Sequence, residues 1–184
     1  MENAVLDAIF ARSSIRAYTD QKLTAHELDT LKKAALAAPT GSNRQENRFF
    51  FITDRQLILK VEAATIQAFK DAGDTQVLER IASRNNKVIY DAPLYVVIAA
   101  KQGHSGTDAG IAVQNLAIAA KGMGLDSVIL GLPKPAFSGD FGKELRDRLG
   151  FEEGYVFAVS IAIGHGAMEK APHEWDEGHV KFID

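Results

Sequence analysis

The chain has no cysteine among its 184 residues. Disulfides, thiolate zinc sites, iron–sulfur clusters and cysteine nucleophiles are therefore excluded together. A cytoplasmic protein fits this composition. Positive charge is not in excess: the formal net charge is −3. Broad attraction to nucleic acid or to an anionic membrane is not expected, so any basic site must be local. No apolar run reaches the roughly 18 to 20 residues of a membrane span. The N-terminal stretch MENAVLDAIFARSS carries Glu2 and Asp7 and lacks a basic region followed by a long apolar one. No signal peptide is expected.

Catalytic signatures are missing as well. There is no Walker loop and no HExxH. GHSG at 103–106 has the wrong spacing for a GxSxG elbow. GMGLDS at 122–127 lacks the third glycine of a dinucleotide fingerprint and closes a helix where the fingerprint opens one. His26, His104, His165, His173 and His179 show no metal-ligand spacing. The acidic residues are spread, without a catalytic pair. With no acid, base or nucleophile marked, an enzyme of this sequence would leave its chemistry to a bound cofactor.

The remaining pattern is that of one globular domain spanning residues 1–184, with no repeat, linker or low-complexity tract. Val5, Leu6 and Ile9 predict a short helix over 3–11. Thr24 and Glu27 form a capping box that opens a helix ending before Pro39. RFFFIT reads as a buried strand. Thr53 and Gln56 repeat the capping pattern ahead of a helix to about Ala72. A helical reading also extends over 75–90. LYVVIAAK, DSVILG and YVFAVSIAIG are strands. TDAGIAVQNLAIAAKGM, 107–123, is apolar on almost every side, as a helix buried all round would be. An amphipathic helix is expected from Ser138 to Gly150. Strands alternating with helices suggest, on pattern alone, a parallel α/β sheet. The strands lack polar alternation, so both sheet faces should be covered.

Two polar segments stand out. RSSIRAYTD, 12–20, offers Arg12, Ser13 and Ser14 at a helix end, the donor set a phosphate needs. APTGSNRQEN, 38–47, concentrates Thr40, Ser42, Asn43, Gln45 and Asn47. Neutral amides and hydroxyls suit the edge of a heterocycle or a polyol better than a bare anion. Each segment could equally be a solvated loop or turn.

Taken together, these segments resemble the motifs of the nitroreductase-like FMN-dependent oxidoreductases. RSSIRAY resembles their RRSxRxF/Y motif, and APTGSNRQENRFFFI their APSxxNxQPWxFxVV. DAPLYVVIAAK matches the central strand, and DAGIAVQNLAIAAKGMGLDSVILG the long buried helix with its following strand. FAVSIAIGHG matches the strand ending in IGY/IGH. The motifs occur in order over almost the whole chain. Two departures stand out. Ser13 replaces a frequent arginine or histidine, and Glu46-Asn47 replaces the usual Pro-Trp.

The resemblance implies an α+β fold with a mostly antiparallel central sheet wrapped by helices. It implies a homodimer with C-terminal exchange and FMN at the subunit interface. Arg12, Ser13 and Ser14 would serve the FMN phosphate, and Arg16 the pyrimidine end near N1 and O2. Pro39, Thr40, Gly41, Asn43 and Gln45 would come from the other subunit. Asn85, with Lys87 beside it, would meet the pyrimidine edge. Gly131 and Leu132 would lie near N5, and Lys170 and His173 are candidates to close the phosphate site. The implied activity is ping-pong hydride transfer from NADH or NADPH, through flavin N5, to a small electron-poor acceptor such as a nitroaromatic or a quinone. Family members also act as dehalogenases or dehydrogenases, and a non-catalytic flavin-binding protein could keep the same motifs.

Overall fold

A computed structural model describes residues 3–103 and 106–183. His104 and Ser105, in the GHSG stretch, lie outside the described residues. Four strands form one sheet: β1 (Arg48–Ile52), β2 (Leu94–Lys101), β3 (Asp126–Leu130) and β4 (Tyr155–Gly164). Their spatial order is β1-β2-β4-β3, and every neighbouring pair is antiparallel. The parallel sheet suggested by element alternation is thus incorrect, and the antiparallel one implied by the resemblance is present. The physical reason is an insertion. β2 and β3 do run in the same direction, because both oppose β4. The last strand of the chain lies between them and pairs with each.

The helices are α1 (Ala4–Ala11), α2 (Ala25–Leu36), α3 (Arg55–Asp71), α4 (Thr75–Ala82), α5 (Thr107–Gly122) and α6 (Lys143–Leu149). Side chains alternate across a strand, and β2 feeds two cores accordingly. Tyr95 and Val97 pack with Ile58, Val61 and Ile81 of α3 and α4. Leu94, Val96 and Ile98 pack with Leu31 of α2 and with Ala112, Val113 and Leu116 of α5. Both faces are covered, as the unbroken apolar strands require. On α5 the buried residues are Ala109, Ala112, Val113, Leu116, Ala117 and Ala120. Ile111, Ile118 and Ala119 remain only half-buried in the single chain, although the sequence pattern is apolar all round.

Local signals set most helix ends. The Thr24–Glu27 capping box forms in both directions, a device whose loss costs about 1 kcal/mol. Three expectations shift. The cap of α3 is Asp54, not Thr53; its Oδ1 accepts the N–H of Gln56 at 2.9 Å. The helix expected over 75–90 stops at Ala82. The helix expected from Ser138 begins only at Lys143. A tight turn precedes it, in which a Cβ on Gly142 would lie 2.3 Å from the Phe137 backbone.

One buried tyrosine ties the first polar segment to this frame, and a second links three strands of the sheet. The Tyr18 hydroxyl donates towards the carbonyls of Ile15, at 2.8 Å, and Ala162, at 3.2 Å. The Tyr95 hydroxyl donates to Ser160 Oγ at 2.9 Å, which in turn donates to the Leu130 carbonyl at 2.8 Å. Burial pushes both phenols well above the ordinary tyrosine value. An unfolded chain loses these protons near pH 10, whereas the folded chain keeps them. The stability they contribute is complete below about pH 10. It falls as pH rises further, by about 1.4 kcal/mol per pH unit for each group. In an alkaline titration followed at 295 nm, Tyr18 and Tyr95 should ionise only with cooperative unfolding. Ionisation of all four tyrosines near pH 10, with far-UV dichroism intact, would contradict this.

Candidate functional site

The segment RSSIRAYT is strapped on both sides. Ser14 bridges Ser127 of β3 in parallel, and the Ile15 N–H donates to the Ser127 carbonyl at 3.1 Å. Tyr18 bridges Gly166 just beyond β4, the Thr19 N–H reaches the His165 carbonyl at 2.9 Å, and the Ala167 N–H reaches Ala17 at 2.9 Å. The start of the C-terminal tail therefore runs alongside the motif. Ser13 is buried and its Oγ donates to the Lys170 carbonyl at 2.8 Å. That hydroxyl proton is committed to holding the tail. Arg12 ends α1, its backbone N–H bonded to the Ala8 carbonyl. Among the described residues its guanidinium has no hydrogen-bond or ion-pair partner. Arg16 Nη1 donates to the Ser14 carbonyl at 3.3 Å, but its Nε is buried without a partner. A buried orphan donor costs about 1–3 kcal/mol, and in a native fold it calls for an explanation such as a ligand.

Arg16 opens onto a cavity of about 310 Å³, whose other walls include Arg84, Asn85, Lys87, Tyr90 and Asp91. The fold thus gathers Arg16, Asn85 and Lys87, which lie about 70 residues apart in the chain, around one space. The cavity size is at the low end for ligand sites. Three of these side chains are cations and one is a carboxylate. Lys87 Nζ donates to Asp91 Oδ1 at 2.9 Å, and Arg55 pairs with the same carboxylate. Burial alone would raise the Asp91 carboxyl, but the Arg55 and Lys87 hydrogen bonds outweigh it and hold the group below its usual value. Arg84 Nη1 donates to the Tyr90 hydroxyl at 3.1 Å.

The loop after α4 has unusual backbone geometry. Asn85, Asn86, Tyr90 and Asp91 have φ of 55°, 56°, 60° and 60°. Asparagine and aspartate tolerate this left-handed region, but a bulky tyrosine seldom does. Such a residue costs on the order of 1–3 kcal/mol and persists only where its surroundings enforce it. The helix predicted over 75–90 runs through Asn85 and Asn86, whose tolerance of positive φ suits the turn that forms instead. Arg84, Tyr90 and Asp91 carried no signal in the sequence, because a helical reading covered most of that stretch.

The second polar segment lies elsewhere on the chain. Thr40 Oγ1 accepts the Gln45 N–H at 3.0 Å, and Gln45 Nε2 donates to Asn43 Oδ1 at 2.8 Å. The Gly41 N–H donates to the Asp108 carboxylate at 3.2 Å. Ser42, Asn43 and Gln45 all have positive φ, so the loop is shaped by its own hydrogen bonds. Pro39 is exposed. Thr40 and Gln45 line a small separate cavity of about 80 Å³ with Leu36 and Phe49. Gly131 is exposed in the turn after β3 and Leu132 packs on the core beside it. Lys170 and His173 are exposed in the tail. None of these residues lines the Arg16 cavity in the single chain. Among the described residues no group of three or more acidic or histidine side chains could hold a metal ion, and no helix is long and apolar enough to cross a membrane.

Comparison with known proteins agrees with the motifs. A nitroreductase of Desulfitobacterium hafniense, solved with bound FMN, superposes with a TM-score of 0.94 at 31% identity, over 100% of both chains. An NAD(P)H FMN reductase of Bacillus subtilis is 28% identical over 176 residues, which is 92% of this chain and 68% of that protein. A second Bacillus subtilis protein, FMN reductase (NADPH), is 30% identical over 142 residues, covering 70% of this chain but 54% of its own length. The family model described as the nitroreductase family matches residues 9–165. With most of its length matched, this chain belongs to the nitroreductase family.

Proposed function

We propose that the protein is an FMN-dependent NAD(P)H oxidoreductase that passes reducing equivalents to a small, planar, electron-poor acceptor. One observation carries the reading: Arg16, whose Nε is buried and unpartnered, lines a cavity walled by Arg84, Asn85 and Lys87. That donor set suits the pyrimidine end of a flavin, whose carbonyls accept hydrogen bonds and whose reduced form carries negative charge there. The FMN-bound neighbour and the reductase relatives support the same cofactor. When bound, FMN would supply reversible hydride acceptance at N5. The residues of this chain would do the rest. Arg16 offers a cation where charge develops. Asn85 offers an amide to the ring edge. Arg12 and Ser14 hold the phosphate, and Ser13 fixes the tail through Lys170. Lys170 and His173 stand ready to close over that end, and the turn at Gly131 and Leu132 to approach N5.

A homodimer is part of this proposal. Val5, Leu6, Ile9 and Phe10 leave α1 apolar on its outer side, and Trp175, Val180, Phe182 and Ile183 do the same in the tail. Monomeric proteins seldom expose this much clustered apolar surface. The sheet edge at β1 is also unpaired on one side, beside a largely apolar groove of about 790 Å³ against α2. A partner's tail crossing over would cover both. The partner would also bring Pro39 to Gln45 to the flavin, which explains why that loop sits apart within one chain. Donor and acceptor using one site in turn makes the kinetics ping-pong. We place the activity in the cytoplasm, where the donor is available.

The test is the visible spectrum after FMN addition and desalting. Retained flavin that bleaches anaerobically with NADH or NADPH is the expected result. Retained flavin that does not bleach points to a binding role. No retained flavin sinks the proposal.

A further inference from the structure

Glu62 lies in the middle of α3, 7% exposed. Glutamate is almost never this buried unless paired. Its Oε2 accepts the backbone N–H groups of Val88, at 2.6 Å, and Ile89, at 2.8 Å. Its Oε1 lies 3.9 Å from Lys87 Nζ. All three partners belong to the loop that walls the Arg16 cavity. Val88 and Ile89 are fully buried, so their N–H groups must find acceptors. Among the described residues no backbone carbonyl supplies one, since both residues lie outside the helices and strands, between α4 and β2. A carboxylate from 26 residues earlier does.

The loop has side-chain hydrogen bonds of its own, Arg84 to Tyr90 and Lys87 to Asp91, but its backbone is strained. It contains four residues in the left-handed region, one of them the buried Tyr90. Strain of that kind persists only where contacts over-determine it. Charged acceptors make the stronger hydrogen bonds, and this one is shared by two consecutive amides. The same carboxylate also sets charge. Lys87 faces Asp91 at 2.9 Å and Glu62 at 3.9 Å, and Asp91 is already shared with Arg55.

We propose that Glu62 is the positioning residue for the flavin's pyrimidine edge, holding the 83–91 loop in place from behind and tempering the positive charge of Lys87 at the cavity. This rests on the flavin reading above. Glu62 is not in the cavity wall, so it acts through Asn85 and Lys87 and not by touching the cofactor.

Two substitutions separate its two actions. Glu62→Gln keeps an oxygen that can accept both N–H groups but removes the charge. Glu62→Ala removes both. FMN affinity is measured by flavin fluorescence quenching, and the midpoint potential by anaerobic titration at saturating FMN. E62Q should bind FMN within about threefold of the parent protein, as a retained hydrogen-bond geometry implies. Its potential should rise, because the reduced anionic ring then faces a less neutralised Lys87. E62A should bind FMN at least about tenfold more weakly, the scale of a lost charged hydrogen bond. An unmoved potential in E62Q, or an unmoved affinity in E62A, overturns the proposal. If E62A does not fold, the E62Q potential decides alone. Failure of the unsubstituted protein to take up FMN would overturn the flavin reading itself, and is seen before any substitution is made.

Discussion

Replacing Arg16 with alanine should lower the midpoint potential of bound FMN by roughly 10–40 mV. A hydrogen bond to a charged group contributes about 1.5–3 kcal/mol, and 30 mV corresponds to about 1.4 kcal/mol for a two-electron couple. Arg16 is the residue whose loss should be felt most by the reduced ring. It lines the cavity and its Nε is a buried donor with no partner, whereas Lys87 is engaged by Asp91 and Arg84 by Tyr90. The oxidised ring is neutral at its pyrimidine end, so affinity for oxidised FMN should fall by less, about 1 kcal/mol, and the difference of roughly 0.5–2 kcal/mol sets the shift in potential. Arg16→Lys should recover part of the potential, since it restores charge without the planar fork. The measurement is an anaerobic reductive titration against a reference dye, with a thermal melt to show that the fold is intact. A potential unchanged in the alanine variant would remove Arg16 from the ring. The orphan Nε would then need another explanation, such as a buried water.

On the proposed homodimer, deleting residues 171–184 should convert the protein to a monomer and strip it of FMN. The deletion leaves the Ser13–Lys170 hydrogen bond in place. It removes Trp175, Val180, Phe182 and Ile183, which are 67%, 61%, 89% and 88% exposed in the single chain. The aromatic contact of this stretch with the rest of the chain is Trp175 against Phe10, at 5.4 Å between ring centroids. The fold of one subunit should therefore lose little. Covering such side chains across an interface contributes about 1.5–3 kcal/mol each, an upper estimate once ordering costs are counted. Half of that sum is about 3–6 kcal/mol, or roughly a hundredfold to ten-thousandfold in dissociation constant. Light scattering over a dilution series, together with the flavin absorbance of each fraction, reads both effects. A truncated chain that remains dimeric at the same concentrations and keeps its flavin would show that the tail is not the crossing segment.

Much of the framework was legible before the fold was known. The Thr24–Glu27 box, the breaker at Pro39 and the αL glycine at Gly150 act within a few residues of themselves, so they are written locally and they form. The strands at 48–52, 94–101, 126–130 and 155–164 were likewise visible as apolar runs. Misreadings fell where two local signals compete. Thr53 and Asp54 are both good caps, and the carboxylate takes the position. Between Ser138 and Lys143, polar residues suited to a helix start give way to a turn that needs glycine at 142.

The sequence by itself determined which residue types were available for a flavin: two short polar segments, one cationic and one neutral, in a chain with no thiol and no catalytic pair. It also determined the lengths and faces of the elements that carry them. Strand direction was decided only in three dimensions, because apolar runs report burial and not polarity, and β4 could pair anywhere its neighbours left a place. Tertiary structure alone also set Glu62 against the amides of Val88 and Ile89, and brought Arg16, Asn85 and Lys87 to one cavity. Hydrogen bonds between distant segments follow no period in the sequence. They exist only once the packing of α3 on the sheet has brought a buried carboxylate to buried N–H groups that find no other acceptor among the described residues.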